Sequence, residues 1–314
     1  SSDPVEIDVS GEILEADPKW ANYPRGVMQY FREQTSCTLP GFDAYITSNV
    51  PSGGGLSSSA AFELATATLL EGLTGIKLDT KTKALLCQKA EHNYAHCPCG
   101  IMDQFASAFG KKDRLVMIDC QSGEPTLVPF ENPALTVIVA NTCVAHELSD
   151  GGYASRRKAT EDGLQIIGKS SWRQVSMADV GAAKEQMGDV VYQRSRHVVS
   201  EIQRTMDAAK ALEANDFDTL GPLMYASHAS LRDDFEVSCE ELDIMVEIAL
   251  SLGKDGGVIG SRMTGGGFGG STVTLCESSK ANSIVAAMTS QYTERTGITP
   301  EIFLSRPSQG ARLL

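Results

Sequence analysis

A run of glycine and serine, Pro51-Ser52-Gly53-Gly54-Gly55-Leu56-Ser57-Ser58-Ser59-Ala60-Ala61, divides two segments of different periodicity. Before it, Phe42, Ala44, Ile46 and Val50 fall on one face of an alternating stretch, which predicts a strand over 42–50. After it, residues 57–72 are rich in Ala, Leu and Glu, which predicts a helix. Glycines let a backbone approach a ligand closely and adopt positive φ. The free N–H groups at a helix start, with the positive end of its dipole, attract an anion. A triphosphate is the natural occupant of such a loop. The loop lacks the Gly-Lys-Ser/Thr ending of a Walker A motif and the Gly-x-Gly-x-x-Gly spacing of a dinucleotide site. A flexible turn with a serine N-cap is the competing reading.

A second glycine-rich stretch, Met263-Thr264-Gly265-Gly266-Gly267-Phe268-Gly269-Gly270-Ser271, lies between two strand-like segments. Ordering that many glycines is entropically costly, so something must require close backbone approach. A strained hairpin would explain one such loop; two in one chain favour a shared nucleotide pocket. In Cys99-Gly100-Ile101-Met102-Asp103-Gln104-Phe105, Asp103 stands among apolar residues. It reads either as a general base or as a cap for a turn starting at Gln104. Glu91, twelve residues earlier on a predicted helix, reads alone as a solvated carboxylate; as a cation ligand it would suit phosphoryl transfer. Two polar clusters, Asn141-Thr142 with His146-Glu147, Tyr153 and Arg156-Arg157, and Ser227-His228 with Leu231-Arg232-Asp233-Asp234, read as ion-pair networks before ligand contacts. The five histidines form no zinc-type array.

Helices are further predicted over 26–33, 80–96 (capped by Asp79 or Thr80), 153–167, and parts of 179–214 and 238–252. Strands are predicted over 114–119, 135–141, 258–263, 271–276 and 301–305. Helices fall in blocks between strand groups, which implies an α+β protein rather than a doubly wound sheet. A boundary near Gly123-Glu124-Pro125 divides 1–125 from 126–314. The 27 basic and 40 acidic residues give a net charge of −13, which argues against a nucleic-acid partner. No apolar run is long enough for a membrane span. Eight scattered cysteines, mostly in apolar runs, predict buried free thiols in a reducing cytoplasm, and Cys97-Pro98-Cys99 has no second pair at zinc spacing. The sequence opens on Ser1-Ser2-Asp3-Pro4, with no initiator Met and no signal peptide, and reads as a chain whose beginning lies elsewhere.

Taken together, these motifs resemble, in order and over nearly the whole chain, the galactokinases of the GHMP small-molecule kinase superfamily. Trp20-Ala21-Asn22-Tyr23 with Arg25-Gly26-Val27, the loop 51–61, residues 99–105, Tyr153 with Arg156-Arg157, Arg196-His197-Val198-Val199, the Ser227–Asp234 cluster and 263–270 all fit. The resemblance implies a two-domain fold: an N-terminal α/β domain of the ribosomal protein S5 domain 2-like type and a ferredoxin-like α+β C-terminal domain. It implies transfer of the ATP γ-phosphoryl group to the C1 hydroxyl of D-galactose by a cytoplasmic, magnesium-dependent monomer. Asp103 would be the catalytic carboxylate. Gly53, Gly54, Gly55, Leu56, Ser57, Ser58, Ser59 and Ala60 would contact ATP. Ser59 and Glu91 would hold Mg2+, and Gly100, Asp103 and Tyr153 would contact the sugar. The family also carries an N-terminal Gly-Arg-x-Asn-Leu-Ile-Gly-Glu-His-x-Asp-Tyr motif, with a catalytic arginine, that does not occur in this sequence. Its absence implies impaired catalysis, missing strands in the first domain and a tendency to self-associate. An N-acetylgalactosamine kinase and a non-catalytic galactose/ATP-binding regulator are the alternatives; the intact Ser57–Ala61 run and Asp103 favour an enzyme.

Overall fold

The computed structural model describes residues 4–50, 55–145 and 152–314. Two compact units divide the chain. One runs to Phe130 and takes back Pro307–Leu314; the other holds Glu131–Arg306 together with Gly55 and Leu56.

The first unit is built from α1 (Asn22–Thr35), α2 (Ser58–Thr74), α3 (Thr80–Tyr94) and α4 (Met102–Phe109), followed by a hairpin of β1 (Arg114–Asp119) and β2 (Glu124–Pro129). Val27, Phe31, Leu64, Ala67, Leu70, Cys87 and Ala90 interlock α1, α2 and α3. Glycine sets the approach of α1 to α3: a Cβ on Gly26 would lie 2.8 Å from the Tyr94 ring. Asp79 caps α3 by accepting from the Thr82 N–H at 2.9 Å, as its sequence position predicts. The segment 307–314 is stitched onto α4, with the Gly310 N–H donating to the Gly110 carbonyl and the Ala311 N–H to that of Ser107.

The predicted strand over 42–50 does not form. The segment is irregular and exposed, Tyr45 to 94%, and pairs with no strand among the described residues. Alternation fixes which side chains share a face but supplies no neighbour for the backbone. β2 was hidden in the sequence because Gly123 and Pro125 read as breakers. Pro is tolerated there because the hairpin has only two strands, each of them an edge.

The second unit runs β3 (Leu135–Ala145), α5 (Gly152–Ile167), α6 (Met177–Ala182), α7 (Lys184–Glu213), α8 (Phe217–Asp233), α9 (Glu240–Leu252), β4 (Val258–Met263), β5 (Gly269–Glu277), α10 (Ala281–Thr296) and β6 (Glu301–Ser305). Its sheet is antiparallel, in the order β4-β5-β3-β6. Counting strands within the unit, that order is 2-3-1-4 with helices between the first and second and between the third and fourth, the ferredoxin-like split arrangement. Ile138, Met245, Ile248, Ile284, Met288 and Tyr292 fill the layer between the sheet and α9 and α10.

The cysteines depart from expectation. All eight are free, but only Cys87 and Cys276 are buried, while Cys97, Cys120 and Cys143 are exposed. Cys143 sits where β3 loses register with β5, at φ 58°, and the irregularity turns its side chain out of the apolar run.

Candidate active site

Ser57 precedes α2 in the left-handed region, at φ 57° and ψ 53°, and its side chain makes no capping bond. The serine-cap reading is therefore wrong. The first turn of α2 carries no acidic residue, and its backbone donors meet no side-chain cap among the described residues. A long helix with uncapped N–H groups and an unopposed dipole end suits a phosphate. Ser58 and Ser59 are half-buried in that turn. Ala60 is buried, so only its N–H can serve a ligand. Gly53 and Gly54 lie outside the described residues.

Gly55 and Leu56 pack within the second unit. A Cβ on Gly265, which has φ 77°, would stand 3.2 Å from the Gly55 carbonyl oxygen, and one on Gly55 3.7 Å from the Ser271 nitrogen. The two glycine-rich loops thus meet backbone to backbone. Gly267 is fixed harder still: at φ 87° its Cβ would fall 2.1 Å from the Val237 carbonyl oxygen. The Phe268 N–H donates to that same carbonyl at 2.7 Å. Arg156 braces the arrangement, donating to the Phe235 carbonyl at 3.2 Å and the Glu236 carbonyl at 2.7 Å with its guanidinium 5.4 Å from the Phe268 ring. Tyr153 belongs to α5, and its side chain lies outside what is described, as do His146 and Glu147. Thr142 is structural: its hydroxyl donates to the Gly270 carbonyl at 2.7 Å, and its own carbonyl accepts from Tyr292 at 2.9 Å.

The cluster around Ser227–Asp234 is a network of ion pairs and hydrogen bonds. Arg194 donates to the Asp234 carbonyl and to Glu236, and Arg196 to the Asp234 carboxylate. Ser230 donates to Asp234 at 3.1 Å, and Ser227 to Glu201 at 2.5 Å. His197 stacks on Phe235 with centroids 4.4 Å apart and meets the Ser230 hydroxyl at 2.9 Å through Nδ1. Burial pushes its imidazole pKa down to about 4.

Asp103 is half-buried in the first turn of α4. It is not the cap: Ile101 holds that position, and no side chain caps the helix. Asp103 makes no side-chain hydrogen bond or ion pair among the described residues, as a base awaiting a substrate hydroxyl would. Gly100 is exposed in the loop before it.

Glu91 is not solvated. It is 5% exposed and accepts on Oε2 from Gln104 Nε2 at 2.5 Å and from the Cys99 thiol at 3.3 Å. The same Gln104 amide donates to Glu63 Oε2 at 3.1 Å. Glu63 and Gln104 are wholly buried, and the Oε1 atom of each is sealed without a partner. Burial first, and the Glu91 charge second, push the Glu63 carboxyl up to about 9. Burial and Glu91 raise Tyr23 as well. The reading from sequence missed Glu63 and Gln104. The available signal was that Glu63 shares the α2 stripe of Ala60, Leu64, Ala67 and Leu70.

A magnesium ion fits this donor set. Glu91 is a buried carboxylate with no cationic partner among the described residues, so a divalent ion would supply the missing charge. Ser59 and Glu91 offer hard oxygens. No group of three or more His, Cys, Asp or Glu converges to cage a metal among the described residues. Magnesium is usually bound through few protein ligands, with water and phosphate completing its shell.

The GHMP kinases N terminal domain matches residues 22–111, and the GHMP kinases C terminal domain matches 208–294. Human galactokinase is 46% identical over 297 residues, 95% of this chain and 73% of its own length. The galactokinase of Glaesserella parasuis is 39% identical over 314 residues, 98% of this chain and 80% of its own. The crystal structure of Lactococcus lactis galactokinase complexed with galactose superposes at a TM-score of 0.86 with 30% identity, covering 96% of this chain and 78% of that one.

Proposed function

The chain belongs to the GHMP kinases, and within them to the galactokinases; from this premise we propose how its residues divide the work of an ATP-dependent sugar kinase. The reaction moves the γ-phosphoryl group of ATP to the C1 hydroxyl of D-galactose. The matches do not favour an N-acetylgalactosamine kinase or a non-catalytic regulator. Among the described residues no helix is long and apolar enough to cross a membrane.

Asp103 accepts the proton of the C1 hydroxyl as that oxygen attacks. The observation that carries this role is its free carboxylate, half-buried in the first turn of α4 and unengaged by any described side chain. The uncapped α2 N-terminus, with Ser57, Ser58, Ser59 and the Ala60 N–H, holds phosphate oxygens and stabilises their charge. Gly53, Gly54, Gly55 and Leu56 of the same loop contact ATP. Gly100 and Tyr153 contact the sugar. Ser59 and Glu91 hold Mg2+, which when bound neutralises charge on the phosphates and orients the transferring group.

Galactose-dependent release of ADP from Mg-ATP tests the assignment. Any ADP that the 314-residue chain releases, however slowly without the arginine motif, should depend on galactose. Asp103→Ala should lower kcat by about 10²–10⁴-fold with the fold intact. Release that persists in the variant would remove Asp103 from the proton transfer.

A further inference from the structure

We propose that Gln104 is a positioning residue for the cation: its amide pins one edge of the Glu91 carboxylate so that the other edge faces the metal. The inference rests on the reading above that Glu91 holds Mg2+.

Three observations lead to it. The first is the selectivity of the contacts. Both donors that reach Glu91, the Gln104 amide and the Cys99 thiol, end on Oε2. Glu91 Oε1 takes no hydrogen bond among the described residues, yet it is not among the sealed, unsatisfied atoms. It is the free edge of an otherwise anchored group. The orientation of a ligating carboxylate is commonly set in this way, by a hydrogen bond to the oxygen turned away from the metal.

The second is what the amide holds apart. Glu63 comes from α2 and Glu91 from α3, and no cation stands between them among the described residues. The two N–H groups of one primary amide serve both carboxyl groups. An apolar residue of the same shape would leave them facing each other undivided. Gln104 meanwhile leaves its own Oε1 buried and unpaired. A core position occupied only for packing would not keep such an orphan acceptor.

The third is placement. Gln104 directly follows Asp103 in the first turn of α4. The turn that presents the proton acceptor therefore also fixes the carboxylate proposed to hold the ion. A shift of α4 would displace both.

The test compares Gln104→Met, of similar shape but without donors, with Glu91→Gln and the unaltered chain. Mn2+ in the presence of ADP is titrated by the relaxation of water protons, and ADP binding in EDTA is measured beside it. Gln104→Met should weaken Mn2+ by about tenfold or more while metal-free ADP binds within about twofold of the unaltered chain. Wild-type Mn2+ affinity in Gln104→Met, with weakened affinity in Glu91→Gln, would overturn the positioning role and leave the cation reading intact. Wild-type affinity in Glu91→Gln would overturn both. A parallel loss of metal-free ADP binding in Gln104→Met would mark Gln104 as a general structural residue and also overturn the role. Should Gln104→Met fail to fold, Gln104→Asn decides. Its amide is one methylene too short to reach both carboxyl groups, so weakened Mn2+ supports the role and unaltered affinity refutes it.

Discussion

Arg194 and Glu91 are both buried, one in each compact unit, and their charges are met differently. Arg194 lies against Glu236 and the Asp234 carbonyl, in a network where Arg196 faces Asp234 and Arg204 faces Glu201. Positive and negative groups alternate there. Glu91 instead faces Glu63 across a neutral amide. The contrast also holds within one helix. Two turns beyond Glu63, α2 carries Glu71, equally buried but paired with Lys83 at 2.9 Å. The paired sites tie elements together, each charge facing its counter-charge. The Glu63–Glu91 site has no cation facing it among the described residues. Buried charge alone therefore does not mark a functional position; buried charge without its counter-charge does.

Removing a partner from the paired network should do the most damage. Arg194→Met leaves the Asp234 carbonyl without its donor and the half-exposed Glu236 without its partner, and denaturant titration should show the second unit losing about 1–3 kcal/mol. A loss below about 1 kcal/mol would mean the network contributes little, and the contrast would collapse. Glu63→Gln should act in the opposite direction. Between pH 4.5 and about 9 the folded chain holds a proton on Glu63 that the unfolded chain has released, so stability falls as pH rises through that window. The glutamine keeps an acceptor for Gln104 but cannot ionise. It should stabilise the chain by on the order of 3 kcal/mol at pH 8 and by less than about 1 kcal/mol at pH 5, read from thermal unfolding at the two values. His197 should show the smallest effect and the reverse slope. Between pH 6.5 and about 4 the unfolded chain holds a proton that the folded imidazole lacks, so stability falls as pH drops. His197→Gln should flatten that decline, a difference of about 2 kcal/mol at pH 5 against pH 7.5. The two units would thus be weakened from opposite ends of the pH scale, and equal slopes in both variants would contradict the comparison.

Much of the frame was legible because local chemistry decides it. Of the two candidate caps for α3, Asp79 is the one used, and β4 and β6 fall on the strands predicted over 258–263 and 301–305. No helix is predicted over 217–233, where α8 forms with Pro222 inside it and with Gly221 placed so that a Cβ would lie 2.1 Å from the Ile259 carbonyl oxygen. The glycine-rich loops were found, but what they touch, Gly55 against Gly265 and Gly267 against Val237, is set by tertiary approach. Glu91 was singled out, but its burial was not. Helical periodicity tells which residues share a face; it does not tell that Glu63 from another helix and Gln104 from a third turn toward the same point.

The attachment of Pro307–Leu314 to the first unit has a consequence for how the protein is made. These residues leave the ribosome after the whole of 131–306, yet Gly310 and Ala311 complete hydrogen bonds at the end of α4. The first unit is begun early and finished late, so this edge stays unsealed while the second unit is synthesised. Released chains with and without 307–314 should therefore differ in protease resistance around α4.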